Sequence, residues 1–209
     1  FFNQLKRFTN LYFFIIAIAQ SIKEISSVNP ISTWIPIYVI FSISILRELY
    51  DEIKIISEDK KINDREYTLI RNGIKQTIKS KNIKVGDILV LKENDITPAD
   101  IFLIKVDGDF QTCSIQSSNV DGSPDMKDIY PLNETKNFTN EEILNLKGRV
   151  ICNYPNRNLY YLSGKFDIYI NGDKSNGSFP AVLSNTNFIQ YGTIINNDHD
   201  VYGVVCYTG

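Results

Sequence analysis

Val85-Gly86-Asp87-Ile88-Leu89-Val90-Leu91-Lys92, followed by Thr97-Pro98-Ala99-Asp100-Ile101-Phe102-Leu103-Ile104, decides the fold of this chain. Both runs are β-branched or otherwise apolar, and each is opened by turn residues, Gly-Asp in the first and Pro-Ala-Asp in the second. Short apolar runs bounded in this way predict strands. A third segment, Thr112 to Ile115, leads into the polar loop Asn119-Val120-Asp121-Gly122-Ser123-Pro124-Asp125-Met126-Lys127. A β scaffold presents chemistry on such loops, where polar groups need not be paired in a ladder.

Outward from this stretch the pattern stays β-rich. Upstream, Glu66 to Ile70 and Ile74 to Ile78 flank Arg71-Asn72-Gly73, and Asn-Gly between alternating segments predicts a hairpin. Downstream, Asp128 to Leu146 is polar and poorly patterned, but Asn140 to Leu144 predicts a short helix capped by Thr139 or Asn140. Strands are expected again over 150–153, 159–163, 165–170, 181–183, 188–195 and 201–207. Pro155-Asn156-Arg157-Asn158, Asn171-Gly172 and Asn176-Gly177 are turn signals between them. Residues 59–209 therefore read as one β-rich domain, a compact sandwich or roll.

Residues 1–58 differ in composition. Leu11 to Ile22 and Ile31 to Leu46 are nearly all apolar, although neither reaches the roughly 20 apolar residues of a lone spanning helix. Two buried helices of a soluble protein are one reading. Charge placement favours the other, a transmembrane hairpin. Lys6 and Arg7 precede the first run, Arg47 and Lys54 follow the second, and Lys23 and Glu24 fall in the connection. Pro30 and Pro36 suit a helix start and a kink. Arg47 to Lys61, with Leu49, Ile53 and Ile56 at near-helical spacing, reads as a stalk continuing the second helix. The fold class expected is an α+β membrane protein fragment, with the hairpin and stalk over 1–58 and the β domain over 59–209. No cleavable signal peptide is recognised ahead of the hairpin, and without an initiating Met the chain reads as a piece of a longer protein.

Bulk properties remove other classes. A formal net charge of -2 gives no basis for nucleic-acid binding. Cys113, Cys152 and Cys206 are odd in number and match neither a metal spacing nor a disulfide framework, so reduced thiols are expected. His199, the single histidine, lies in Asn196-Asn197-Asp198-His199-Asp200, which reads as a solvated turn rather than a metal site. The sequons at Asn133, Asn137 and Asn176 read as unused. Heavy use of Ile and Asn throughout looks like coding bias and weakens any functional reading of Asn-rich loops.

The spaced combination Gly86-Asp87-Ile88, Pro98-Ala99-Asp100 and Asp121-Gly122 resembles the actuator domain of P-type ATPases. Lys6-Arg7-Phe8-Thr9-Asn10-Leu11-Tyr12-Phe13, Leu69-Ile70-Arg71-Asn72-Gly73, Pro155-Asn156-Arg157-Asn158-Leu159-Tyr160 and Gly203-Val204-Val205-Cys206-Tyr207-Thr208-Gly209 narrow the resemblance to type IV P-type ATPases, the lipid flippases. It implies a distorted jelly roll on the cytosolic side of an integral, multi-pass membrane protein. It also implies ATP-driven lipid movement through an aspartyl-phosphate made on another domain and hydrolysed by the actuator loop. In flippases that loop reads Asp-Gly-Glu-Thr. The Glu activates the attacking water, a general-base role that needs a carboxylate.

Here Asp121 and Gly122 match, but Ser123 and Pro124 stand in place of Glu and Thr. A serine hydroxyl orients a water without accepting its proton near neutral pH, and proline removes a backbone donor and fixes φ. Asp125, two residues past the glutamate position, would serve only after a loop rearrangement. The resemblance further implies that Gln20 matches the first of a glutamine pair gating the lipid headgroup, with Ser21 at the second position; the other reading seats both at the membrane interface. No Asp-Lys-Thr-Gly-Thr motif, nucleotide-binding domain or later membrane helix is seen. No cofactor is therefore expected in this chain, and ATP and Mg²⁺ are expected for its parent. The partners implied are membrane lipid, the phosphorylation and nucleotide-binding domains of the same parent, and a flippase β subunit. An alternative is a flippase-like regulatory module without turnover, as in some protist guanylate cyclases. A cation pump and a tethered β domain that binds a partner are the remaining readings.

Overall fold

A computed structural model describes residues 8–22, 30–108, 112–153, 162–169 and 178–208. The chain divides into two units, Phe1–Ile62 and Asn63–Gly209. The basic residues Lys6, Arg7 and Lys23, the acidic Glu24, the turn at 155–158 with Leu159 and Tyr160, and the Asn171-Gly172 and Asn176-Gly177 turns lie outside the described residues.

The first unit holds α1 (Phe8–Gln20) and most of α2 (Pro30–Asn63). Pro30 opens α2, and the expected stalk is a direct continuation of that helix. The buried contact is small, made by Ala17, Ile37 and Phe41 with Trp34 against them. Most other apolar side chains are exposed, Ile15, Ile35, Tyr38, Ile43 and Leu46 among them. Among the described residues, no helix is long and apolar enough to cross a membrane. The 13 residues of α1 rise only about 20 Å, and the second half of α2 is charged.

The second unit is built on a six-stranded sheet. Its strands are β1 (Glu66–Arg71), β2 (Ile74–Lys79), β3 (Ile88–Leu91), β4 (Asp100–Val106), β10 (Phe188–Ile189) and β12 (Val201–Tyr207). They lie in the order β10-β4-β12-β3-β1-β2, and every pair is antiparallel. The β1–β2 hairpin turns at Asn72 (φ 54°) and Gly73 (φ 78°), with Arg71 paired to Ile74. Two consecutive positive φ values are what a two-residue hairpin of this hand requires, as the Asn-Gly pair predicted.

Two smaller sheets cover the faces of this one. The first has the order β11 (Ile194–Ile195), β5 (Cys113–Gln116), β6 (Met126–Ile129). Its Cys113, Ile115, Ile129 and Ile195 join Leu89, Leu91, Ile101, Leu103 and Val205 in one core. The second has the order β7 (Gly148–Cys152), β8 (Ser163–Tyr169), β9 (Ser178–Ser184). Its Phe166, Ile168, Ala181 and Leu183 pack with Ile88, Val90, Phe102, Ile104 and Val204 in the other core. Neighbouring residues along β3, β4 and β12 thus face opposite cores. That is why these strands read as continuous apolar runs rather than clean alternation. Among the described residues the unit also holds two short α-helices, α3 (Ser118–Asp121) and α4 (Asn140–Leu144). A capping box between Thr139 and Glu142 opens α4, which buries Ile143.

Three expectations change. Segments 163 and 165–169 form one strand, β8, because Gly164 lets the β7 backbone approach; a Cβ there would lie 2.4 Å from the Ile151 carbonyl oxygen. Residues 159–161 of that expectation lie outside the described residues. The single strand expected over 188–195 is split into β10 and β11. Between them the chain turns back on the 97 region, with Gly192 N–H donating to Thr97 O and Thr97 N–H to Thr193 O. Strand β6 takes Met126 and Lys127 out of the expected loop, pairing Met126 with Gln116 and Ile129 with Cys113.

Candidate functional site

The loop after β5 begins with α3, a single turn ending at Gly122, whose φ of +72° is left-handed. Gly122 N–H closes that turn on Ser118 O at 3.1 Å. A Cβ built on Gly122 would meet nothing within 4 Å, so its backbone faces open space. Glycine is required by the backbone angle, and the bare surface it leaves permits another group to approach closely.

Asp121 is held from three directions. The buried Ser117 donates its Oγ hydrogen to the carboxylate, at 3.0 Å from Oδ1 and 3.1 Å from Oδ2. Ser123 N–H donates to Oδ1 at 2.9 Å. Lys127 Nζ makes a close ion pair with Oδ2. The Lys127 ammonium, and then the Ser123 N–H, lower the Asp121 carboxyl to about 2. A group so acidic is a poor proton acceptor near neutral pH. Asp121 therefore fixes loop shape, and it does so by joining the helical turn to the first residues of β6.

Ser123 is half-buried, and its Oγ accepts from Asp125 N–H at 3.4 Å. Pro124 and Asp125 are exposed. Among the described residues, nothing hydrogen-bonds to the Asp125 carboxylate. The structure thus brings Asp121, Gly122 and Ser123 together on one rim. Sequence reasoning assigned no role to Ser117 or Lys127. A lysine six positions after an aspartate, beyond a proline, carries no local signal; only the turn into β6 brings the two together.

Arg71, Gly86, Asp87 and Asp100, which also carried the family resemblance, build the scaffold. Arg71 donates through Nε to Asp87 Oδ1 at 2.7 Å and through Nη2 to Oδ2 at 2.6 Å, and Lys84 N–H donates to Oδ2 at 2.7 Å. The Asp87 side chain is only 5% exposed. Gly86 N–H donates to Val205 O, and Val205 N–H to Asp87 O, both at 2.9 Å, tying this turn to β12. Asp100 Oδ1 accepts from Tyr191 N–H at 2.7 Å. Burial pushes the Asp100 carboxyl up, and the Tyr191 N–H partly offsets it.

In the first unit, Gln20 ends α1 and Ser21 follows it. Ser21 donates through Oγ to Ala17 O at 2.8 Å and accepts from Trp34 Nε1 at 3.0 Å, so it bonds across to α2. Gln20 is half-buried. The cysteines are free thiols, and burial pushes Cys113 up to about 12 and Cys206 upward as well. Among the described residues, no three His, Cys, Asp or Glu side chains are gathered closely enough to hold a metal ion.

Comparison with known proteins adds a family to this geometry. Residues 1–34 match the family described as Phospholipid-translocating ATPase N-terminal, and residues 61–150 match the P-type ATPase actuator domain. The chain is 31% identical over 210 residues to Phospholipid-transporting ATPase IC of Mus musculus, covering 100% of this chain and 16% of that protein. It is 30% identical over 210 residues to Phospholipid-transporting ATPase 2 of Arabidopsis thaliana, covering 99% and 18%. It is also 30% identical over 210 residues to Probable phospholipid-transporting ATPase tat-5 of Caenorhabditis elegans, covering 100% and 19%. The chain thus spans less than a fifth of the length of these relatives.

Proposed function

The chain belongs to the type IV P-type ATPases, the phospholipid-transporting ATPases, and on that premise we propose that it is the first membrane hairpin and actuator of an ATP-driven lipid translocase with an impaired dephosphorylation loop. The observation that carries this reading is the state of the loop's carboxylates. Asp121 is clamped and strongly acidic, Ser123 stands where a glutamate would activate water, and Asp125 is exposed beyond it. The actuator still presents Gly122 backbone and a water-orienting hydroxyl to an incoming aspartyl-phosphate. The proton acceptor is what it lacks.

The exposed faces of α1 and α2 support the membrane assignment. Ile15, Ile18, Ile35, Val39, Ile43 and Leu46 form an apolar surface that water does not tolerate on an isolated helix pair, and lipid or further helices of the parent would cover it. The β domain would then lie on the cytosolic side. Ser21, bonded between the two helices, fixes the end of α1 where Gln20 would meet a lipid headgroup. ATP and Mg²⁺ would be held by the phosphorylation and nucleotide-binding domains of the same parent chain. A flippase β subunit is a further partner on this reading.

The same loop observation favours one second reading, a flippase-like module that regulates a joined guanylate cyclase without turnover. Acid quenching of the full-length parent in membranes, after labelled ATP and Mg²⁺, separates the two. The translocase reading expects a hydroxylamine-sensitive phosphoenzyme. Its complete absence in protein that binds ATP would leave the module.

A further inference from the structure

A cavity beside the Arg71–Asp87 turn has no residue of the 117–127 loop in its lining. It is a cleft of about 870 Å³ between the β1–β3 rim and the α4–β7 segment. Its charged lining is Arg71, Lys84, Lys147 and Asp87. Asp87 is paired with Arg71, which leaves Lys84 and Lys147, both exposed, as the remaining lining cations; among the described residues neither has a side-chain partner. A cleft lined by one sign of charge between low-dielectric walls concentrates counter-ions.

The cleft does not end at these charges. It shares Val85, Gly86, Ile88, Leu146 and Gly148 with an inner pocket of about 210 Å³. That pocket is lined chiefly by apolar side chains, Ile104, Val150, Phe166 and Val204 among them, with the Cys152 and Cys206 thiols. Gly86 lines both, and a Cβ built on it would meet nothing within 4 Å. A cationic mouth leading to an apolar interior has the polarity of a single-chain amphiphile with an anionic head. The cleft's own volume falls in the range of small-molecule sites, which pair apolar walls with a few placed polar groups.

We propose that this cleft binds a single-chain amphiphilic anion, with its phosphate or carboxylate between Lys84 and Lys147 and its alkyl chain against Phe166 and Cys152. The site is separate from the dephosphorylation loop and holds whether or not that loop turns over. A ligand there bridges the β1–β3 rim to the α4–β7 segment and braces the two.

The test uses the whole chain in nanodiscs of neutral lipid, with octyl phosphate and decanoate as probes below their micelle concentrations. Maleimide labelling of Cys152, quantified by peptide mass spectrometry, reports occupancy of the inner pocket. Saturable protection of Cys152 by either anion is expected. Octyl phosphate binding the tighter points to a lysophospholipid-like source, and decanoate binding the tighter points to a free fatty acid. Octyl glucoside is expected to need at least tenfold higher concentration, and inorganic phosphate to give no protection. K84Q/K147Q, two surface changes, is expected to weaken protection at least tenfold while leaving the labelling rate without ligand unchanged. No saturable protection, equal protection by the neutral glucoside or by phosphate alone, or undiminished binding by K84Q/K147Q would overturn the proposal.

Discussion

Two aspartates anchor two turns in this domain, and they do so on different terms. Asp87 is nearly inaccessible, gripped by both arms of the Arg71 guanidinium and by Lys84 N–H. Asp121 is exposed, gripped by a flexible lysine, a serine hydroxyl and Ser123 N–H. The planar fork of arginine suits a fixed, dry pair, whereas lysine offers a point charge on a mobile stem. Both aspartates were singled out from the sequence by the same kind of evidence, a Gly-Asp or Asp-Gly motif. Burial separates their roles: the first is architecture and the second shapes a surface loop.

Breaking the buried anchor gives the largest effect. Asp87→Ala strands Arg71 and the Lys84 N–H, and should destabilise the domain by about 3 kcal/mol. Thermal unfolding of the full chain, followed by its β signal, measures this. Asp121→Ala in the same assay should lower the midpoint less, since its ion pair is solvent-screened and contributes little, which leaves chiefly the lost Ser117 hydrogen bond. Equal losses at the two sites would erase the distinction drawn here.

A smaller effect is expected at Gly122. Gly122→Ala meets no crowding but must hold a left-handed φ, at a cost of roughly 1 kcal/mol. A loss as large as that of Asp87→Ala would mean that the turn is packed rather than merely left-handed.

The smallest effect concerns protons. Because Lys127 holds Asp121 near 2, the clamp is fully formed above the ordinary carboxyl value of 3.8. It is lost as pH falls from there through about 2. Carboxyl NMR of Asp121 should show that low titration, and Lys127→Ala should raise it by roughly one unit or more. A midpoint near 3.8 in the unmodified chain would place Lys127 elsewhere in solution.

Much of this arrangement was legible before the structure. Asn72-Gly73 announced its hairpin because two positive φ values have few other residues to supply them. Asn140 to Leu144 announced α4 with its cap at Thr139 or Asn140, and the structure puts the cap at Thr139 in a capping box with Glu142. The runs at 88–91 and 101–104 announced strands, and their lack of alternation is explained by the core on each face. Strand β6 was hidden because Met126, Lys127 and Asp128 are all exposed, leaving no apolar period to read. The Ser117–Asp121–Lys127 clamp was hidden because it depends on where β6 begins. The departure at Ser123-Pro124 was legible at once, since neither side chain carries a carboxylate.

The decay of a phosphoenzyme tests that departure most directly. In the full-length parent, phosphoenzyme formed with labelled ATP and Mg²⁺ is chased with unlabelled ATP, with Ser123→Glu alongside. The account predicts that the phosphoenzyme of the unmodified protein persists and that Ser123→Glu speeds its decay by about 10²–10⁴, the usual value of a positioned general base. Decay within seconds in the unmodified protein, unaltered by Ser123→Glu, would contradict it.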